Sequence, residues 1–270
     1  MSVGTVTPEM QQRWKTVERA LLAWILIGFI GYFVMIFITK PWGPDLGVAS
    51  SPQRVMLTGV MGLLYPLPTI LLGVYHYTTQ QKWLAEDMGV PYEEGKLYPC
   101  WTPKRLVTIA LGIAFFGITG AVPASTFDLP QFAATFLTVL YGPVEGAIGV
   151  GLGFLLIRGP IFSGMFNPIT LFSVFATDGM IYAILGNVTR KYIYYRPLRW
   201  RMTYGLAIYT VCNFLIHRGP AWNFRTFLLN PWPQFMASIT NQVVYWIPFA
   251  YLPNLILAYL VSSALIKYKV

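Results

Sequence analysis

The chain has 270 residues, of which 56% are hydrophobic, 16% aromatic and only 11% charged, with a mean hydropathy of +0.55. Soluble domains carry about 25% charged residues, so the composition excludes a water-soluble globule, which could not be covered with polar surface, and a disordered chain alike. The net charge of +9 raises nucleic acid as a partner, but the placement of the charges argues for membrane topology instead. The expected fold class is an all-α polytopic membrane protein.

The first 19 residues are polar and lack the cationic start, short apolar core and cleavage site of a secretory signal, so the first apolar run is expected to stay in the protein. A membrane helix needs roughly 20 mostly apolar residues. Runs of that kind fall at 21–39, 55–76, 105–124, 168–188, 202–217 and 239–266. Between 130 and 158 a further apolar stretch is divided by Gly142-Pro143, which predicts two short helices. Glycines at 142, 146, 149 and 153 recur along one helix face there, so this helix should pack tightly. The last run holds Pro248 and Pro253, which predicts a tilt or kink. Together the runs predict about eight membrane segments. Residues 77–104 form the one long polar connection. It separates a two-helix extension with its linker, 1–103, from a six-helix membrane domain, 104–270.

The basic residues orient the chain. With the N-terminus inside, 14 of the 19 lie at inner ends or loops and five, Lys40, Arg54, Arg158, Arg218 and Arg225, lie outside. Both termini are therefore expected in the cytoplasm, and the excess charge faces an anionic inner leaflet.

Catalytic signatures are missing. The nearest approach to a phosphate-binding loop, Gly89 to Leu97, has one residue too many between its glycines and ends in Leu, where the chemistry requires Ser or Thr. Cys100 and Cys212 stand far apart without metal-ligand or disulfide spacing, and two histidines, His76 and His217, are too few for a metal centre. Polar residues within the bilayer mark sites or helix contacts. Asp178 lies about ten residues into its helix, near the membrane centre at about 1.5 Å per residue. Toward the outside lie Asn167, Asn213, His217, Asn241, Gln242, Tyr245 and Trp246. Spacings of three and four put Asn213 with His217, Asn241 with Tyr245 and Gln242 with Trp246. Such amides and aromatics suit a small polar ring-bearing ligand; plain hydrogen bonding between helices is the alternative. Ala110 and Ala114, with Gly117 one position off, make a small-residue face that admits close approach of another helix.

In order, Ala110-xxx-Ala114, an outer loop ending Asp128-Leu129-Pro130, a short helix, the Gly142-Pro143-xxx-Gly146-Ala147 turn into a glycine-rich helix and three further helices resemble the substrate-binding S component of energy-coupling factor transporters. These are the vitamin and micronutrient importers of prokaryotes, and the resemblance covers about residues 104–268. It implies that the Ala110, Ala114 and Gly117 face docks on a transmembrane coupling subunit, and that separate ATPase subunits hydrolyse ATP. It also implies that the loop carrying Asp128, together with the last three helices, encloses a small-molecule ligand. On this reading the chain is no enzyme, carries no cofactor or metal, sits in a prokaryotic plasma membrane among lipid and binds no nucleic acid. The alternative is a non-catalytic accessory or structural subunit of a large membrane complex, which nine tryptophans and an aromatic outer loop would also suit.

Overall fold

The structure is a computed structural model describing residues 4–39, 52–122, 129–211 and 252–266, with single positions at 237, 240 and 244. It is helical: α1 Pro8–Thr39, α2 Pro52–Leu64, α3 Pro66–Thr79, α4 Gln81–Asp87, α5 Pro103–Thr119, α6 Leu129–Tyr141, α7 Pro143–Gly153, α8 Pro168–Val188, α9 Leu198–Val211 and α10 Leu252–Ile266. Among the described residues the only extended pairing is an isolated bridge between Thr5 and Lys96, which straps the N-terminal segment to the polar connection. Proline opens α1, α2, α3, α5, α7 and α8, because a first-turn residue needs no N–H partner and its φ is already helical.

Prolines also explain where the structure departs from the expected runs. The stretch 55–76 is not one uninterrupted helix but breaks at Tyr65, whose φ of −128° precedes Pro66; Pro66 and Pro68 cannot donate into the helix before them. The break at Gly142 falls where the sequence predicts it, with Gly142 at φ +110°, a left-handed value that only glycine adopts without strain. Beyond Gly153, α7 runs on through Phe154–Phe162 in wider turns that accommodate Pro160, and Ser163 N donates to Arg158 O five residues back. In the same way α8 continues through Thr189–Ile193.

Four helical stretches among the described residues are long and apolar enough to cross a membrane: Pro8–Met35, Gly59–Thr79, Pro143–Phe162 and Pro168–Ile193. The described residues are thus predominantly helical, with the long apolar helices of a membrane protein. Leu129–Tyr141 and Leu252–Ile266 are apolar but shorter.

The centre is α7 and α8, around which the other helices pack. Lipid tails are as apolar as leucine, so burying leucine against leucine drives little association here; close van der Waals contact does more. The glycines supply it. A Cβ on Gly149 would lie 3.6 Å from the Gly112 carbonyl carbon of α5, and one on Gly153 only 2.8 Å from the Ile113 carbonyl oxygen. One on Gly186 would fall 2.4 Å from the Pro143 Cα, where α8 crosses the start of α7. The helices before and after residue 103 share their interior: Met61, Tyr65 and Ile70 pack with Ala147, Met180 and Ala183, while Tyr77 and Trp83 pack with Ile109 and Val144.

Gly186→Ala is expected to push α7 and α8 apart, since its methyl meets backbone that cannot rotate away. Overpacking of this kind costs about 1–3 kcal/mol. The check is a lower unfolding midpoint in detergent than for Ala183→Gly, which adds no atom.

Candidate functional site

The most elaborate polar assembly among the described residues lies at the bundle end that carries most of the described basic side chains. Three carboxylates and two guanidinium groups meet there from four places in the chain: Glu86 and Asp87 at the end of α4, Arg105 in the first turn of α5, Glu145 in the first turn of α7, and Arg190 where α8 widens. Local chemistry sets each one up. Thr102 caps α5, its hydroxyl accepting from Arg105 N at 3.2 Å, while Gly142-Pro143 turns the chain so that Glu145 faces inward.

Asp87 is the hub. Its Oδ2 accepts from Arg105 Nη2 and from the Tyr77 hydroxyl, both at 2.5 Å, and its Oδ1 accepts from Arg190 Nη2 at 3.3 Å. Arg105 Nε donates to Glu145 Oε1 at 2.8 Å, and its Nη1 to the Cys100 carbonyl at 3.2 Å and Sγ at 2.9 Å. Arg190 Nη2 also donates to Glu86 Oε2 at 2.9 Å, where the Tyr195 hydroxyl donates as well. The guanidinium of Arg105 stands over the Tyr77 ring and that of Arg190 over the Tyr194 ring, 4.1 Å from its centroid. Arg105 is 6% exposed, Arg190 5% and Glu145 3%; ions this deep are tolerated only when paired.

What this arrangement does chemically is hold helices together. A cleft lined by Asp87, Cys100, Arg105 and Glu145 has a volume near 40 Å³, which admits water-sized species and excludes an organic substrate. Burial pushes the Cys100 thiol above its ordinary range, against the opposing pull of Arg105, so at neutral pH it is a thiol and no ready nucleophile. Burial and then its bond to Glu86 raise the Tyr195 phenol likewise, keeping it a donor throughout the physiological range. No group of three or more His, Cys, Asp or Glu side chains among the described residues is arranged to hold a metal.

The residues expected to bind a ligand are distributed differently. Asn167 is exposed and caps α8, its Oδ1 accepting from Ile169 N at 2.9 Å and Thr170 N at 3.3 Å. Asp178 is half-buried midway along α8, about 16 Å farther along the axis at 1.5 Å per residue, so the two are not brought together. Asp128, Asn213, His217, Asn241, Gln242 and Trp246 lie outside the described residues. Of the small-residue face, Ala110 is exposed, Ala114 half-buried, and Gly117 buried against Ile157 of the same chain.

The ionic cluster itself escapes the sequence reading, which counts the inner basic residues, Arg105 and Arg190 among them, only as markers of sidedness. The available signal was position: Arg105 and Glu145 each stand in the first turn of an apolar helix that a proline opens. Compared with known proteins, the chain matches no described family, no curated protein and no solved structure.

Arg105→Met strips buried Glu145 of its ion-pair partner and leaves Asp87 with Arg190 alone, and is expected to cost about 3–5 kcal/mol. Arg105→Met with Glu145→Met removes the orphaned charge and should recover part of the loss. Thermal unfolding of the two variants in one detergent checks the order, and equal midpoints for wild type and Arg105→Met would refute the pairing.

Proposed function

We propose that this chain is a non-catalytic subunit of a larger membrane assembly, and within that class the substrate-binding subunit of a micronutrient importer. The observation that carries the reading is the two-sided character of α5. Its inner side is spent within the chain, through Gly112 and Gly117. Its outer side is bare: Val107, Leu111 and Ile118 are 58%, 65% and 62% exposed around Ala110 and Ala114. Lipid asks nothing of such positions but apolarity, whereas a shallow alanine channel between larger apolar ridges suits a second helix at close range. Arg105 anchors the basic end of the same helix, so the docking face is presented at a fixed angle.

In this reading a transmembrane coupling subunit docks on α5, separate ATPase subunits supply the energy, and the small-molecule ligand enters from the side opposite the ionic cluster. The chain crosses the membrane about eight times, as its apolar runs suggest, with both termini in the cytoplasm of a prokaryotic cell. The pairing of Glu86 with Arg190 and of Asp87 with Arg105 supports that topology, because it gathers the 77–104 and 188–203 connections at one end.

Ala114→Trp fills the channel from a half-buried position on the outer side of α5. It should separate the chain from its partner on purification while leaving its own unfolding midpoint unchanged; intact co-purification would remove α5 from the interface. If Ala114→Trp releases the partner but no small molecule co-purifies with the wild-type assembly, the accessory-subunit reading replaces the importer.

Orientation has its own check. Tyr192 is 54% exposed, so Tyr192→Cys, in a chain whose native cysteines are serine, should resist membrane-impermeant maleimide in sealed cells and react after permeabilisation.

A further inference from the structure

Helix α1 approaches the bundle closely at Gly28, where a Cβ would stand 1.9 Å from the Leu64 carbonyl oxygen. Nearer its N-terminus it leaves a cleft of about 450 Å³ between itself, α3 and α8, within the roughly 300–1,000 Å³ of ligand clefts. The walls are apolar: Leu22 from α1, Leu72 from α3, Ile184 and Val188 from α8. Lys15 and Arg19, one helical turn apart and both exposed, stand on the α1 side. Among the described residues neither has an acidic partner within ion-pair distance; the carboxylate between them in sequence, Glu18, is taken by His76 Nδ1 at 2.9 Å. Asn187 ties α8 to α3 at the cleft, its Nδ2 donating to the Gly73 and Ala183 carbonyls, both at 2.9 Å.

Cations at the edge and an apolar floor form one pattern. A soluble anion would satisfy the cations and leave the apolar walls empty. A partner helix would cover the walls and strand both cations. We propose that this cleft seats one anionic phospholipid: phosphate at Lys15 and Arg19 and an acyl chain against Leu22 and Ile184. Basic pockets between membrane helices hold anionic headgroups by the same electrostatics. The assignment stands independently of the importer reading, since it uses neither α5 nor the outer ligand.

The test uses the full chain in bilayers of equal phosphatidylglycerol and phosphatidylcholine, re-extracted in mild detergent and weighed intact by native mass spectrometry. Wild type should retain one phosphatidylglycerol in preference to phosphatidylcholine. Lys15→Gln with Arg19→Gln should lower that retention roughly thirtyfold, each basic side chain near a membrane surface contributing about fivefold. Lys191→Gln with Arg199→Gln removes the same charge elsewhere on exposed positions and should change nothing. Leu22→Trp, which fills the cleft from an exposed position without altering charge, should also release the lipid. Unchanged retention in the Lys15 and Arg19 variant, or in Leu22→Trp, overturns the assignment. So does equal loss in both double variants, which would mark diffuse surface attraction. Displacement by added glycerol phosphate would overturn it too, identifying a soluble anion as the occupant.

Discussion

One carboxylate holds the basic end of this bundle in register. Asp87 accepts from Tyr77, ten residues before it, from Arg105, 18 after, and from Arg190, 103 after. In a membrane protein such contacts matter more than their number suggests, because apolar burial distinguishes poorly between one helix arrangement and another when the surrounding solvent is itself apolar. Removing two buried arginines from water is costly, and only a geometry that meets their donors recovers the cost. The arrangement that brings α3, α4, α5, α7 and α8 together at this end pairs both guanidinium groups with carboxylates, although Arg190 Nε finds no partner among the described residues.

Away from that end, contact distance takes over. The close crossings of α7 with α5 and of α8 with α7 occur where glycine leaves backbone against backbone. This makes α7 and α8 a rigid spine, and it leaves the outward sides of α1 and α5 uncommitted. Those two faces differ in kind. The α5 face is apolar with a small-residue centre, fit for a helix, whereas the α1 side opens into a cleft edged by cations, fit for a lipid.

Much of the helical plan was legible in the sequence because it depends on composition and on prolines, both local. The break at Gly142 and the tight glycine face could be read directly, since spacing along one helix decides them. The division of 55–76 at Tyr65 was harder, because hydropathy runs straight through Pro66 and Pro68 while the hydrogen-bond ladder does not. The ionic cluster was illegible for a different reason: its members lie up to 104 residues apart, and a charge count treats each as an isolated marker of sidedness. Asn167 carries a local role that the sequence reading does not consider: an amide at the outer end of a helix reads as a ligand contact, and here its oxygen also caps the backbone of α8.

The ionic cluster also bears on how the protein is made. Glu86, Asp87, Arg105 and Glu145 are all synthesised well before Arg190, which follows Glu145 by the whole of α8. A growing chain that has inserted through α7 therefore holds three carboxylates against a single guanidinium, an unbalanced group that cannot be sealed from water. The basic end of the nascent bundle must stay hydrated until the end of α8 arrives. Arrival of Arg190 is then the step that balances the cluster, while α10, made later still, has yet to bring Leu255 and Tyr259 into the core.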